Sequence, residues 1–253
     1  MSCPPISCVC LTFGRPQRIL EEAVYSFLQQ DYPGEKELLI LNDFAQQTIV
    51  FDHPEVTVVN VATRFLSVGE KRNRAVALSR HDLLAVWDDD DISLPHRLSF
   101  SVSHYDERRR YFKSTQSFSW NKGKVSGPRT NRYHAASMWH RSLFDEVGGY
   151  PAIGSGEDDG IEAKFKKIIG PEMSFDNIEP RDIYYLYRWS GTGSYHLSGF
   201  GRDTPETLGQ DRVMKYVLTQ LERGEIAAGE IYLRPHWEAD YSQMVREHVA
   251  ELL

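Results

Sequence analysis

Between residues 6 and 87, short and nearly continuous apolar runs alternate with stretches of helical periodicity, which constrains the fold more than any other feature. Ile6–Leu11, Leu38–Leu41, Val56–Val61 and Leu83–Trp87 read as buried strands. After the first, Pro16 opens a helix in which Ile19, Leu20, Ala23, Val24, Phe27 and Leu28 recur at helical spacing, and Tyr32-Pro33-Gly34 stops it. A second helix is predicted from about Gly69 to Arg80. Strands that are apolar on both faces must be covered on both faces, which is the signature of a mostly parallel sheet between helices. Open sheets of this kind take ligands beyond the carboxyl ends of their strands, so the polar residues there are the functional candidates.

The second half reads differently. Pro95 to Arg110 is predicted as helix, Tyr111 to Trp120 as strand, Asn121 to Arg132 as a polar loop and Tyr133 to Trp139 as another strand. A short helix is predicted over Arg141 to Val147. Another begins near Glu157, with Ile161, Phe165 and Ile168 on one face. Asp182 to Trp189 reads as strand, Ser190 to Pro205 as a mobile Gly/Ser-rich loop, and Pro205 to Arg223 and Tyr241 to Leu252 as helices. With no repeat, low-complexity tract or linker, a single domain over the 253 residues is expected.

Three cysteines, Cys3, Cys8 and Cys10, fall within the first ten residues, too clustered for a disulfide framework, and read as buried structural thiols. A net charge of −7 leaves no basic footprint for nucleic acid or an anionic membrane. The longest apolar run, Leu83–Trp87, is far short of the ~18 residues that span a bilayer. There is no secretory signal pattern and no Asn-x-Ser/Thr sequon, so the cytoplasm is the expected location.

Trp87-Asp88-Asp89-Asp90-Asp91 directly follows the fourth strand. Adjacent carboxylates repel, and a hard divalent cation such as Mg²⁺ or Mn²⁺ both relieves the repulsion and shares its coordination with a diphosphate. The competing reading is a solvated acidic turn that caps the next helix. A second cluster, Gly154-Ser155-Gly156-Glu157-Asp158-Asp159-Gly160, sits at a helix start, where acidic residues also occur for dipole reasons alone. Gly69-Glu70-Lys71-Arg72-Asn73-Arg74 gathers cations at a helix opening, either an anion site or a solvated face. Asp43 ends the second strand, where it is either a turn residue or an acceptor for a base N–H or ribose hydroxyl.

Together these segments resemble the family-two glycosyltransferases of GT-A fold. Ile6–Pro16 is similar to that family's opening strand and loop, with Gly14 where Asn is more usual. Ser26–Pro33 is similar to its Ser-x-x-x-Gln-x-Tyr-Pro helix end, and Leu41-Asn42-Asp43 to its strand-end Asp-Asp, with the first Asp replaced. Gly69–Asn73 resembles its Gly-x-x-Arg-Asn segment and Trp87–Asp91 its Asp-x-Asp-Asp motif. Val147-Gly148-Gly149-Tyr150 followed by Glu157-Asp158 resembles its acceptor-side motif. The match runs in order over about residues 5 to 190.

The resemblance implies a Rossmann-like α/β domain with a nucleotide-sugar-binding half (about 1–110), an acceptor-side half with a smaller sheet (111–205) and a C-terminal helical extension (206–253). It implies transfer, with inversion, of a sugar from a nucleoside-diphosphate sugar, expected to be a UDP-sugar, to a hydroxyl acceptor. Thr12, Phe13, Asp43, Arg72, Asp88, Asp89 and Glu157 are then expected on the substrates, with Asp88 near the ribose. Asp90, Asp91 and His196 are expected on Mn²⁺ or Mg²⁺, with Asp89 and Asp91 unranked, and Asp158 is expected to be the base. His134 and the Asn121–Arg132 loop are candidates for the acceptor side. Gly14 and Asn42 put the identity of the base in question. A sugar nucleotidyltransferase and an inactive sugar-nucleotide-binding module remain as alternatives.

Overall fold

The computed structural model describes residues 3–130, 133–170, 178–188 and 208–252. The chain begins β1 (Ile6–Thr12), α1 (Gln17–Leu28), β2 (Lys36–Asn42), β3 (Gln47–Val50), β4 (Val56–Asn60), α2 (Val68–Leu78) and β5 (Leu83–Val86). It continues β6 (Ile92–Ser93), α3 (Arg97–Ser103), β7 (Tyr111–Lys113), β8 (Gln116–Asn121), β9 (Lys124–Thr130), β10 (Ser137–His140) and α4 (Arg141–Glu146). It closes with α5 (Glu157–Ile169), β11 (Tyr185–Arg188), α6 (Leu208–Glu222), β12 (Gly229–Tyr232) and α7 (Tyr241–Leu252).

A six-stranded sheet runs β4-β2-β1-β5-β10-β7. Its first four strands are parallel, and β10 and β7 add antiparallel pairings. Both faces are apolar, for the reason the continuous runs suggest. Ile6, Cys8 and Cys10 of β1 pack with Leu20, Val24 and Phe27 of α1, while Val9 joins Leu39, Leu84, Val86 and Ala75 and Val76 of α2 on the opposite face. Each such fully buried aliphatic or aromatic side chain contributes roughly 1.5–3 kcal/mol. Burial pushes the Cys8 thiol up to about 12, consistent with an inert core residue. Cys3, by contrast, is exposed.

After β1 the chain moves outward to β2 and β4, then returns to β5 on the other side of β1. That reversal opens a crevice beyond the carboxyl ends of β1 and β5. The second sheet, β6-β11-β8-β9, flanks the crevice, and a parallel pair joins β3 to β12.

Several sequence expectations change in this half. The predicted Pro95–Arg110 helix shortens to α3. Tyr111–Trp120 divides into β7 and β8, which belong to different sheets. The polar segment from Asn121 to Thr130 is not a loop but the turn and return strand of a hairpin, with Ser119 paired to Ser126. Ile168 is exposed, while Ile161 and Phe165 carry the buried face of α5. The 190–205 segment lies outside the described residues.

Candidate active site

The acidic run is the connection between β5 of the large sheet and β6 of the small one. Its start is fixed by Trp87, whose backbone N–H donates to the Val9 carbonyl (2.9 Å) and whose indole N–H donates to the Ala23 carbonyl (3.0 Å). From that anchor the four carboxylates diverge. Asp88, Asp90 and Asp91 each offer an oxygen, and these three oxygens lie within 4.8 Å of one another. Asp89 turns away from them. Its two oxygens accept from Arg15 Nε (2.9 Å) and Nη2 (2.6 Å), and the same Nη2 reaches Asp90 at 3.1 Å. Burial alone would lower the Arg15 pKa, but Asp89 and then Asp90 outweigh it and hold the guanidinium above its ordinary value. Such a two-pronged pair is geometrically specific and ties Asp89 to the loop after β1.

Asp91 is buried and held by the small sheet. It accepts hydrogen bonds from the Tyr185 hydroxyl and from the Arg188 backbone N–H (2.7 Å). Each carboxylate oxygen has two lone pairs, so these bonds leave capacity for a cation. The Arg188 guanidinium donates to the Asp90 carbonyl and pairs with buried Glu22 of α1. The other Glu22 oxygen accepts from the Tyr241 hydroxyl (2.6 Å) and the Glu238 N–H (3.1 Å). Sequence reading missed Arg15 and Arg188, which approach the acidic run from 73 residues before Asp88 and 97 residues after Asp91, and Glu22, which holds Arg188. The one available hint was an acid inside the apolar face of α1.

At the β2 end, Asp43 is almost fully enclosed. It accepts from Lys71 Nζ and from the Phe65 N–H (3.0 Å), and Lys71 also donates to the Thr12 carbonyl (2.6 Å). Burial draws the Lys71 ammonium below its usual range despite the opposing effect of Asp43. The buried Thr12 hydroxyl has no hydrogen-bond partner, and half-buried Phe13 lies at this mouth with the Arg64 guanidinium 4.2 Å from its ring centre. The two departures from the family pattern, Asn42 and Gly14, are both packed within the protein. Asn42 is 1% exposed and bonds Gln47, Asn60 and Phe44. Gly14 has φ +54°, and a Cβ there would lie 2.2 Å from Val217 of α6.

Arg72 donates to Glu157 at 2.9 Å and lies over the Tyr150 ring. Burial opposes its charge, but Glu157, Tyr150 and Asp88 raise its pKa above the ordinary value. This pair docks the start of α5, leaving Asp158 half-buried in the first helical turn. His134, the acceptor-side candidate, is buried. It is 4% exposed, and its ring nitrogens contact Glu162 (2.9 Å) and the Tyr150 hydroxyl (2.6 Å), with Lys113 also bound to Glu162. His196 lies outside the described residues.

Residues 7–154 match the model of glycosyl transferase family 2, which covers more than half of the chain. The chain belongs to glycosyl transferase family 2. Over 115 residues it is 28% identical to an uncharacterized glycosyltransferase of Methanocaldococcus jannaschii, MJ1057, a stretch covering 43% of this chain and 40% of that protein. Among solved structures, this family-two chain resembles the mannosyltransferase PcManGT of Pyrobaculum calidifontis in complex with GDP-Man and Mn²⁺. That match has a TM-score of 0.58 at 14% identity and covers 89% and 72% of the two chains. It also resembles S. aureus TarS residues 1–349 in complex with UDP-GlcNAc, with a TM-score of 0.57 at 14% identity and coverage of 86% and 72%. These likenesses establish the GT-A fold.

Proposed function

We propose that this family-two chain is an inverting glycosyltransferase that uses a nucleoside-diphosphate sugar, preferentially a UDP-sugar, and a divalent cation. The observation that carries the reading is the convergence of Asp88, Asp90 and Asp91 at the crevice between β1 and β5. Arg15 pairs with Asp89 and, at 3.1 Å, with Asp90, while Arg188 is held by Glu22. Three converging carboxylate oxygens suit a hard divalent ion, Mn²⁺ or Mg²⁺. When bound, such an ion supplies charge stabilisation for a departing diphosphate.

The chain's own residues account for the remaining chemistry. Thr12, Phe13, the Asp43–Lys71 pair and Arg72 line the nucleoside side, and Asp88 lies toward the ribose. Glu157 is occupied by Arg72, so Asp158 is the carboxylate that accepts the proton of the acceptor hydroxyl. The acceptor oxygen forms a bond to the anomeric carbon as the bond to the diphosphate oxygen breaks, and a single displacement inverts that centre. We assign the whole chain to one domain in the cytoplasm. No helix among the described residues is long and apolar enough to cross a membrane.

The test is a thermal-shift panel of UDP-, GDP-, dTDP- and CDP-sugars with and without Mn²⁺, followed by product analysis. A nucleotide at 100 times its dissociation constant adds ~2.7 kcal/mol of stability. Metal-dependent stabilisation with release of nucleoside diphosphate is the expected result. Pyrophosphate would identify a nucleotidyltransferase, and binding without turnover an inactive module.

A further inference from the structure

β11 carries two different faces. Leu186 and Arg188 stand in register with Phe118 and Trp120 of β8, and that face packs against α7 through Phe118–His248 and Trp120–Tyr241 ring contacts. Tyr185 and Tyr187 occupy the opposite face. Tyr187 is in register with Ser119, and Ser119 with Ser126 on β9. Tyr133, arriving from the other side, lies over both tyrosines. Its ring stacks on Tyr187 (centroids 4.3 Å apart, planes 23° apart) and meets Tyr185 edge-on at 6.3 Å.

These rings form a row that leads from the acidic cluster to the surface. Tyr185 is buried with its hydroxyl on Asp91, Tyr187 is half-buried, and Tyr133 is 37% exposed. The hydrogen bond from the Tyr185 hydroxyl to Asp91 ties the inner end of the row to the acidic cluster. The side-chain oxygens of Ser119 and Ser126 are on half-buried residues of the same face. The row therefore combines a flat aromatic surface with flanking groups that both donate and accept hydrogen bonds.

We propose that the Tyr133–Tyr187 pair, with Ser119 and Ser126, is a shelf for a pyranose ring of a carbohydrate acceptor. A pyranose offers what this surface fits: an apolar face of C–H bonds that lies flat on an aromatic ring, and a rim of hydroxyls for the serines. Its position is right for that task. The acceptor hydroxyl must reach the anomeric carbon, which is one oxygen away from the diphosphate that the Asp88–Asp90–Asp91 cluster serves. This inference rests on the transferase reading for the role of the sugar, though not for its binding.

Saturation-transfer NMR of the UDP- and Mg²⁺-treated protein with maltose, cellobiose, lactose, mannobiose and chitobiose tests the shelf. At least one disaccharide should bind. Tyr133→Ala should weaken it about tenfold or more, equivalent to ~1.4 kcal/mol of lost stacking, while Tyr133→Trp retains it. Ser126→Ala provides a second variant on an exposed hairpin. In all three variants the nucleotide-dependent thermal shift should equal that of the wild type. Binding by none of the sugars, binding that survives Tyr133→Ala, or a parallel loss of nucleotide affinity would overturn the proposal. Absence of any Mn²⁺-dependent nucleotide shift in the wild type would instead defeat the transferase reading, and loss of sugar binding in Tyr133→Ala would still support the shelf.

Discussion

Asp89 and Asp90 are neighbours of the same chemical type and equal burial, yet the structure gives them opposite consequences. Asp89→Ala leaves Arg15 buried without its main partner, and Arg15 and both aspartate side chains are only 7% exposed. Removing one member of a buried, hydrogen-bonded ion pair costs ~3–5 kcal/mol. For a chain of this length each kcal/mol moves the melting temperature by ~2–4 °C, so a fall of about 6–20 °C is expected. In Asp90→Ala, Arg15 keeps its fork on Asp89. The lost 3.1 Å contact is opposed by relief of repulsion from Asp88 and Asp91, and the apo protein should stay within ~1 kcal/mol of wild type. Scanning calorimetry and urea titration of both variants, repeated with UDP and Mn²⁺, separate the two effects. Asp89→Ala should melt early but keep a metal-dependent shift at temperatures where it is folded. Asp90→Ala should melt normally and lose that shift. The reverse pattern, a stable Asp89→Ala that no longer responds to Mn²⁺, would refute the division of the tetrad into loop-fixing and cation-facing carboxylates.

Asp158→Asn should leave nucleotide-dependent thermal shifts intact and lower transfer ~100-fold or more, because the amide cannot accept the acceptor's proton; near-normal turnover would move the base elsewhere. Gly69→Ala would place a Cβ 1.8 Å from the Pro151 carbonyl oxygen, so a loss of ~1–3 kcal/mol is expected in urea titration, and no loss would mean that α2 and the 151–153 segment separate easily. Glu162 and Glu37 lie below the usual 4.5 in the folded state. Burial opposes the shift in both. Bonds from His134 and Lys113 to Glu162, and from the Arg80 N–H, Ser7 and Thr57 to Glu37, outweigh it. Their stabilising contribution is therefore full above the unfolded value and lost as pH falls through the lower folded values. An acid titration should show this loss, and Glu162→Gln should flatten its slope; an unchanged slope would remove Glu162 from the account.

The parallel half of the fold was legible because each of its strands is apolar on both faces and each helix is local in sequence. The small sheet was legible only in part: segments over β8 and β11 read as strands, but β6 has two residues, too few to show alternation. The separate β3–β12 pair joins strands 182 residues apart. Asn121 to Thr130 is polar because β9 is an edge strand with a largely exposed surface, so composition alone resembled a loop. In the site, the acidic run marked the place but could not divide the labour among its carboxylates. That division comes from Arg15, Tyr185 and Arg188, whose approach is set by tertiary packing. The partners of His134, on α5 and after α4, are invisible to local sequence for the same reason.

The buried Glu22 carboxylate has a consequence for the order in which the protein is made. It sits in the first helix, yet it is satisfied only when Arg188 and Tyr241 have arrived. A nascent chain that has released its first 150 residues can pair β1, β2, β4 and β5, but Asp90 and Asp91 still lack their contacts from Arg188. During synthesis the parallel strands can therefore assemble well before the acidic loop takes its final shape. The contacts that fix the acidic loop and satisfy Glu22 are complete only once Arg188 has been made and Tyr241 of α7 has met α1.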